Sequence, residues 1–185
     1  MTPGTVSVVW QCPFWRVEEC TFTGPDGRER TWYSAARPNP HTVHMLAITP
    51  EGLVPVLRQW RAPLDDWVWE LPAGVCDREG ESLTQAARRE LLEETGFLAG
   101  RVELLFTGTV SPGFTNELYN AFLCRELTRQ SPGGGTGGER LVVHLVPFDA
   151  LEDHFMQAVR SGELVDAKVL TLLLLARRAL EVDGA

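Results

Sequence analysis

Residues 79–97 read EGESLTQAARRELLEETGF, and their periodicity predicts a helix. Apolar side chains recur at the spacing of one helical face, and they are Leu83, Ala86, Ala87 and Leu91. Ser82 and Gln85 lie three residues apart, as the two partners of a capping box do. Gly96 is a typical residue just beyond the last turn of a helix. The stretch therefore predicts a helix over residues 82–95.

Three glutamates of this predicted helix share one face. Glu93 and Glu94 follow Glu90 by three and four residues, which is the spacing of neighbours on a helix surface. Like charges on one face repel each other, so the arrangement has two interpretations. One is a solvated acidic surface whose charge is relieved by Arg88 and Arg89. The other is a site for Mg²⁺ or Mn²⁺, hard cations that take oxygen ligands. Helix spacing alone favours the acidic surface.

Strand patterns precede the helix. Residues 5–35 are rich in β-branched and aromatic residues and look like two strands around the turn GPDGRE, with TWYSA continuing the pattern. A second hairpin is predicted from residues 41–49 and 53–60, with Pro-Glu-Gly between them as the turn. Residues 61–80 contain two prolines and two glycines and are expected to be rich in loops.

Further strands and helices follow the carboxylate helix. They are predicted as strands over 102–110, 118–127 and 141–148, and as helices over about 149–161 and 165–182. Residues 131–139, SPGGGTGGE, predict a flexible loop. Strands, then a helix, then strands, then helices indicate an α/β (α+β) sandwich with mixed strand pairing rather than a doubly wound parallel sheet.

Composition limits the classes of function. A chain of 185 residues with 44% hydrophobic residues and a net charge of −8 is typical of one globular domain. No run of Lys or Arg offers a groove for nucleic acid, and the longest apolar stretch, residues 170–176, is too short to span a membrane. The first residues lack the pattern of a secretion signal, so we expect a cytoplasmic protein.

The spacing of charged residues around the helix resembles the Nudix box, G-x5-E-x7-R-E-U-x-E-E-x-G-U, where U is a bulky apolar residue. Every defined position after the first glycine matches, namely Glu81, Arg89, Glu90, Leu91, Glu93, Glu94, Gly96 and Phe97. The first glycine, Gly74, lies one residue earlier than the pattern requires, because Val75 occupies its place. The resemblance implies a Nudix-type α/β/α sandwich and a metal-dependent hydrolase of nucleoside diphosphates linked to another group.

The resemblance also implies roles for single residues. The expected ligands of Mg²⁺, with Mn²⁺ as a substitute, are Glu90, Glu94 and a backbone carbonyl near Ala73. Glu93 is expected to be a further ligand or to lie directly behind the ligands. Glu81 and Arg89 are expected to form an ion pair that braces the loop against the helix. Gly74 and Gly96 are expected to be structural. The extra residue after Gly74 leaves the spacing of the carboxylates on the helix unchanged.

Stretches outside the box resemble the ADP-ribose pyrophosphatase subgroup: LRQWRAP at 57–63, WVWELPAG at 67–74, SPGFTNE at 111–117 and GELVDAKVLTLLLL at 162–175. This likeness implies conversion of ADP-ribose to AMP and ribose 5-phosphate, with Arg61, Glu117 and Pro112 binding substrate. One of Trp10, Trp15 and Trp32 is expected to stack on the adenine, and Trp32 is the candidate chosen. Two alternatives stay open. One is hydrolysis of another nucleoside diphosphate sugar, such as UDP-glucose or GDP-mannose, and the other is a nucleotide sensor without turnover.

The general base and the assembly are further expectations from the resemblance. Glu139, in the glycine-rich loop, is the expected base, with Glu117 or metal-bound hydroxide as alternatives. Strands within residues 1–42 resemble the dimerisation element of the subgroup, ahead of a Nudix domain over residues 43–185. We therefore expect a homodimer that acts on a small nucleotide substrate.

Overall fold

The computed structural model describes residues 2–135, 138 and 140–183. Along the chain the elements are β1 (Thr2–Gln11), β2 (Arg16–Thr23), β3 (Glu29–Ala36), β4 (His41–Ala47), β5 (Leu53–Arg61), β6 (Asp66–Glu70), β7 (Ala73–Val75), α1 (Leu83–Thr95), β8 (Phe97–Thr109), β9 (Leu118–Arg129), β10 (Leu141–Pro147), a 3₁₀ turn (Phe148–Ala150), α2 (Leu151–Arg160), β11 (Leu164–Val165) and α3 (Lys168–Asp183). No described helix combines the length and apolar character needed to cross a membrane.

The chain divides into two compact units. The first contains Met1–Thr42 and Gly108–Tyr119, and the second contains Val43–Thr107 and Asn120–Ala185. In the first unit β1, β2 and β3 form an antiparallel sheet in that order. The sequence predicted two strands around a turn for residues 5–35, and the structure has three strands there. The bend between β1 and β2 has the sequence CPFW, in which Pro13 is the one typical turn residue, and two aromatic residues continue the pattern of a strand.

The remaining strands form two four-stranded sheets, in the orders β10-β5-β6-β11 and β7-β4-β9-β8. In the first of these sheets β10 and β6 pair antiparallel with β5, whereas β11 pairs parallel with β6. The structure thus confirms a mixed α/β fold with antiparallel strands at the N-terminus.

The predicted hairpin over residues 41–60 is wrong, because β4 and β5 belong to different sheets. Its turn exists, since the Gly52 N–H donates to the Thr49 carbonyl at 2.9 Å and Gly52 has a positive φ of 77°. Every residue from Val43 to Ala47 is buried, so β4 is a central strand covered on both faces. Turn chemistry is local and does not determine which strands pair afterwards.

Residues 61–80, predicted to be rich in loops, contain the two short strands β6 and β7. Pairing with β5 produces β6, with Trp69 opposite Arg58 and Trp67 opposite Trp60. The predicted helix over 165–182 begins only at Lys168, because Leu164 and Val165 extend the sheet as β11.

Helix α1 confirms the helix predicted over residues 82–95, including the capping box of Ser82 and Gln85. Its apolar face packs on the sheet that contains β4 and β9, and the shared core includes Ala86, Ala87, Leu91, Val43, Met45, Phe122 and Cys124. Helix α2 contacts β10 and β11 of the other sheet and buries Leu151, Phe155 and Ala158. The two sheets are thus each covered by a helix, as in an α/β/α sandwich.

Candidate active site

The ends of α1 determine where its glutamates lie. At the start, the Ser82 N–H donates to the Gln85 side chain at 2.9 Å, and the Gln85 N–H donates to Ser82 Oγ at 3.2 Å. At the end, Gly96 has φ 76° and its N–H donates to the Leu92 carbonyl at 2.9 Å. A residue with a side chain is disfavoured in that left-handed conformation, so glycine stops the helix directly after the carboxylates.

Arg89 is the centre of the carboxylate cluster. Its Nε and Nη2 donate to the two oxygens of Glu81 at 2.8 and 2.9 Å, and Nη2 also donates to the Val75 carbonyl at 3.2 Å. Its Nη1 donates to Glu90 at 2.6 Å and more weakly to Glu93 at 3.4 Å. These partners raise the pKa of Arg89, and the same guanidinium lowers the pKa of Glu81. Arg89 and Glu81 thus tie the loop before α1 to the helix.

Glu90 lies against the loop that precedes α1. A Cβ added to Gly74 would lie 2.0 Å from the carboxyl carbon of Glu90, so only glycine leaves room for this carboxylate. Burial raises the pKa of Glu90, the hydrogen bond from Arg89 opposes that rise, and the charges of Glu93 and Asp77 add to it. Burial thus disfavours the charged form of this carboxylate, and a cation bound beside it would stabilise that form.

We expect Gly74→Ala to displace Glu90 and to lower kcat by about tenfold or more, since an error of one ångström in a catalytic group can cost far more than that. Steady-state hydrolysis of a nucleoside diphosphate sugar would measure the effect. Gly80→Ala is the control for substitution of a glycine in the same loop, because a Cβ there meets nothing within 4 Å, although the positive φ of 74° adds some strain. Equal activity of the two variants would contradict the prediction.

Glu94 and Glu93 occupy different surroundings on the same face. Glu94 is only 4% exposed, and the Ala73 N–H donates to its Oε2 at 2.9 Å. Glu93 is more exposed, and Arg78 Nη2 donates to its Oε1 at 3.0 Å. The structure therefore brings Glu90, Glu94 and the backbone of Ala73 together at the loop, with Glu93 on the outer side.

The donor set suits a hard divalent cation. Among the described residues, no group of three or more His, Cys, Asp or Glu side chains is arranged as a ready-made metal cage. Glu90 and Glu93 contact Arg89 instead, and Glu94 accepts a hydrogen bond from Ala73. Because Mg²⁺ usually binds to one or two carboxylates and keeps waters and substrate oxygens in its shell, such a cage is not required.

The glycine-rich segment after β9 contacts the C-terminal end of α1. The Gly134 N–H donates to the Glu94 carbonyl at 2.8 Å, and the Gly135 N–H donates to the Glu93 carbonyl at 3.1 Å. A Cβ on Gly133 would lie 2.4 Å from the Thr95 carbonyl carbon. The start of the loop predicted over 131–139 is thus bound to the helix. Glu139, the expected general base, lies outside the described residues.

A cavity of about 380 Å³ lies in the second unit beside Arg61. Arg61 Nε donates to Glu70 Oε1 at 2.7 Å, and Arg61 Nη2 also pairs with the other oxygen of this buried carboxylate. The hydrogen bonds that Arg61 donates to Glu70 are the main cause of the raised pKa of Arg61, and the negative charge of Glu94 contributes. The lining consists of Arg61, Pro63, Leu64, Val68, Glu70, Leu164, Val165, Asp166 and Lys168.

Sequence reasoning found Arg61 but missed Glu70, Asp166 and Lys168 in this lining. Glu70 was visible only as part of WELPAG, because the register of β5 and β6 is needed to place it near Arg61. The composition could have drawn attention to Lys168, because it is the single lysine among the 17 lysine and arginine residues.

The charges of Lys168, Arg61 and Asp166 affect the pKa of His44. Its pKa is lowered to about 3, first by burial and then by the positive charges of Lys168 and Arg61, while Asp166 opposes the shift. Below pH 6.5 the unfolded chain therefore gains a proton here that the folded chain does not. The free energy of unfolding should fall by up to about 1.4 kcal/mol per pH unit from this group as the pH decreases towards 3.

We expect His44→Gln to remove that contribution to the pH dependence. Urea unfolding of both proteins at pH 6 and pH 5 would measure it as a difference between two slopes, so a uniform loss of stability in the variant does not matter. Identical slopes would show that His44 is protonated equally in the folded and unfolded chain.

Three expected substrate residues lie in the first unit. Trp32 Nε1 donates to the Gly113 carbonyl at 2.9 Å, which places the indole against the turn that contains Pro112. Glu117 follows the same turn, and its Oε1 accepts a hydrogen bond from the Thr42 hydroxyl at 3.2 Å. The structure thus groups Trp32, Pro112 and Glu117, while Arg61 and the carboxylate helix belong to the second unit.

The amino-acid sequence is similar to those of several known proteins. The chain is 39% identical over 130 residues to the ADP-ribose pyrophosphatase of Bacillus subtilis, covering 70% of this chain and 68% of that protein. It is 30% identical over 135 residues to the methanol dehydrogenase activator of Bacillus methanolicus, with coverage of 71% and 69%. It is 32% identical over 145 residues to the GDP-mannose pyrophosphatase of Salmonella typhimurium, with coverage of 74% and 72%.

A solved structure described as an ADP compounds hydrolase superimposes with a TM-score of 0.84 at 22% identity, covering 100% of this chain and 97% of that one, which shows the same fold. The model of the NUDIX domain family matches residues 38–180. This match spans both four-stranded sheets and the whole carboxylate helix, so the chain belongs to the Nudix family and α1 carries its Nudix box.

Proposed function

We propose that this chain hydrolyses the diphosphate of a nucleoside diphosphate joined to a sugar, and that ADP-ribose, cleaved to AMP and ribose 5-phosphate, is its substrate. The observation that carries the proposal is the complete carboxylate set of the box, with Glu90, Glu93 and Glu94 on one face around Arg89. The similarity to an ADP-ribose pyrophosphatase at 39% identity supports the choice of sugar nucleotide.

Glu90 and Glu94 would hold Mg²⁺, or Mn²⁺ in its place, with Glu93 as the third carboxylate. When bound, the metal supplies charge neutralisation for the diphosphate and a water of lowered pKa. The chain itself keeps Glu94 buried and oriented through the Ala73 N–H. Arg89 limits repulsion among the carboxylates before substrate arrives.

Arg61 is proposed to bind a phosphate, because a guanidinium forks well onto phosphate oxygens and three of its five N–H groups are not used by Glu70. Trp32, Pro112 and Glu117 are proposed as further substrate contacts. Glu139 remains the proposed general base, because a carboxylate can take a proton from the attacking water, and Glu117 or metal-bound hydroxide are the alternatives.

We also propose that the protein is a cytoplasmic homodimer, in which residues 1–42 provide the interface and residues 43–185 the catalytic domain. The N-terminal strands and the bend between the first two expose eight large apolar side chains, as a surface that binds a partner often does, and they are Val6, Val8, Val9, Trp10, Phe14, Trp15, Trp32 and Tyr33. The four cysteines of the chain are free thiols, as is usual for proteins of a reducing compartment. Analytical ultracentrifugation would test the dimer, and a monomer at micromolar concentration would exclude it.

A panel of nucleoside diphosphate compounds with Mg²⁺ tests the activity, with the products identified by chromatography. We expect ADP-ribose to give AMP and ribose 5-phosphate with the highest kcat/KM. Faster hydrolysis of GDP-mannose or UDP-glucose would replace ADP-ribose by that sugar nucleotide. Binding of these compounds without turnover would instead favour a nucleotide sensor.

A further inference from the structure

The cavity beside Arg61 contains a second ion pair that the proposed chemistry does not use. Lys168 Nζ lies 2.6 Å from Asp166 Oδ2, and both side chains are partly buried. The backbone positions this pair, because the Asp166 N–H donates to the Trp69 carbonyl at 2.9 Å. The pair therefore has a defined position in the cavity wall.

The hydrogen-bonding capacity of the cavity is not exhausted by these two ion pairs. An ammonium has three N–H donors, and the contact with Asp166 uses one of those on Lys168. A guanidinium has five, and Glu70 engages two of those on Arg61. Each carboxylate oxygen can also accept a second hydrogen bond. The lining thus offers donors and acceptors side by side to a ligand.

The charges and the shape of the cavity restrict what it can bind. Two cations, Arg61 and Lys168, are balanced by two carboxylates, Glu70 and Asp166, so the lining carries no net charge and does not favour a second phosphate. The lining residues include no aromatic ring on which a base could stack. A volume of about 380 Å³ lies at the small end of ligand pockets, which suits one part of a nucleotide sugar.

We propose that Asp166 and Lys168 bind the hydroxyl groups of the sugar joined to the nucleoside diphosphate, and so act as specificity-determining residues. This inference rests on the proposed function, because it places the sugar half of the same substrate. A neutral ring with several hydroxyls both donates to carboxylates and accepts from cations, while its carbon face packs on Leu164 and Val165.

The location of the cavity relative to the carboxylate helix agrees with this assignment. Arg61 pairs with Glu70, and Ala73, three residues after Glu70, donates its N–H to Glu94, so Arg61 and Glu94 both contact the segment from Glu70 to Ala73. A diphosphate at Arg61 and Glu94 would leave the attached sugar beside Asp166. Lys168, the single lysine of the chain, would then contact the part of the substrate that differs between sugar nucleotides.

Asp166 also has a structural role that the test must separate from binding. Its Oδ1 accepts from the Lys168 N–H at 2.9 Å, so it caps the first turn of α3. Asparagine caps a helix about as well as aspartate does. Asp166→Asn therefore keeps the cap and removes the charge, and Lys168→Met keeps the length of the side chain and removes the ammonium.

Because Lys168 is the only lysine, a binding test can be read directly at its side chain. Lysine carrying ¹³C at Cε, incorporated during expression, labels this side chain and leaves its three N–H donors intact. Without metal, and hence without turnover, we expect ribose 5-phosphate to shift the Lys168 resonance in a saturable manner, while inorganic phosphate does not. A shift with AMP at lower concentration than with ribose 5-phosphate, or no shift with the sugar phosphate, would overturn the proposal.

Kinetics provide an independent readout. We expect Lys168→Met and Asp166→Asn to raise KM for the sugar nucleotide about tenfold, the scale of a hydrogen bond to a charged group, and to change kcat by less than threefold. Arg178→Met, an exposed substitution on the same helix, should leave both constants unchanged. Unchanged KM, or a loss confined to kcat, would overturn the proposal. If the protein hydrolyses no sugar nucleotide, the proposed function fails, and the binding test still decides the sugar site.

Discussion

Replacing Glu94 with glutamine should lower kcat by roughly 10²-fold or more, on the scale of metal and acid–base contributions to catalysis. Glu94 is the most buried carboxylate of the box, at 4% exposure, and its position is set by the Ala73 N–H. Glutamine keeps an oxygen that can accept this hydrogen bond but loses the negative charge. The expected loss therefore arises from charge and not from unfolding.

Two measurements check this prediction. Steady-state hydrolysis of ADP-ribose with Mg²⁺ gives kcat, and electron paramagnetic resonance of Mn²⁺ gives the affinity for the cation without turnover. Glu79→Gln is a matched control, because Glu79 lies in the adjacent loop and is exposed. If Glu94→Gln turns over as fast as this control and binds Mn²⁺ equally, Glu94 is not a ligand and the assignment of the helix face is wrong.

Replacing Arg89 with methionine should destabilise the fold by about 3–5 kcal/mol, the cost of removing one partner from a buried ionic cluster. The side chain is 13% exposed and holds Glu81, Glu90 and Glu93 at once. Without the guanidinium these carboxylates repel each other in a poorly solvated place. The free energy of urea unfolding measures the loss.

Added Mg²⁺ should restore part of that stability, because a cation bound only by the folded chain shifts the unfolding equilibrium. Arg178→Met serves as the control, since its ion pair with Glu181 is long and exposed and is expected to contribute less than about 1 kcal/mol. A destabilisation by Arg89→Met no larger than that of the control would mean that the cluster is well solvated. Equal stability with and without Mg²⁺ would argue against a metal at these glutamates.

Both variants bear on how an acidic chain binds an anionic substrate. The net charge is −8, and four carboxylates surround one arginine at the proposed site. A divalent cation held at these carboxylates would supply the positive charge that a diphosphate needs. Affinity for substrate would then depend on affinity for the metal.

The sequence by itself determined the part of this protein that depends on local spacing. Residues three and four apart on a helix must share a face, so the position of Glu90, Glu93 and Glu94 followed from the order of residues alone. The caps at Ser82 and Gly96 followed in the same way, because they are made by neighbours along the chain. The mixed sandwich was also predictable, because the order of strands and helices limits the possible architectures.

Only the tertiary structure decided which strands pair and which distant side chains meet. β4 and β5 share a turn yet belong to different sheets, and β6 exists through its bonds to β5. The cavity joins Arg61 and Glu70 to Lys168, about a hundred residues later in the chain. Pairing and burial of this kind depend on the free energy of the whole fold, which no local pattern records. The helix that carries the carboxylates could thus be predicted from the sequence. The cavity proposed to select the sugar could not, because its residues come together only on folding.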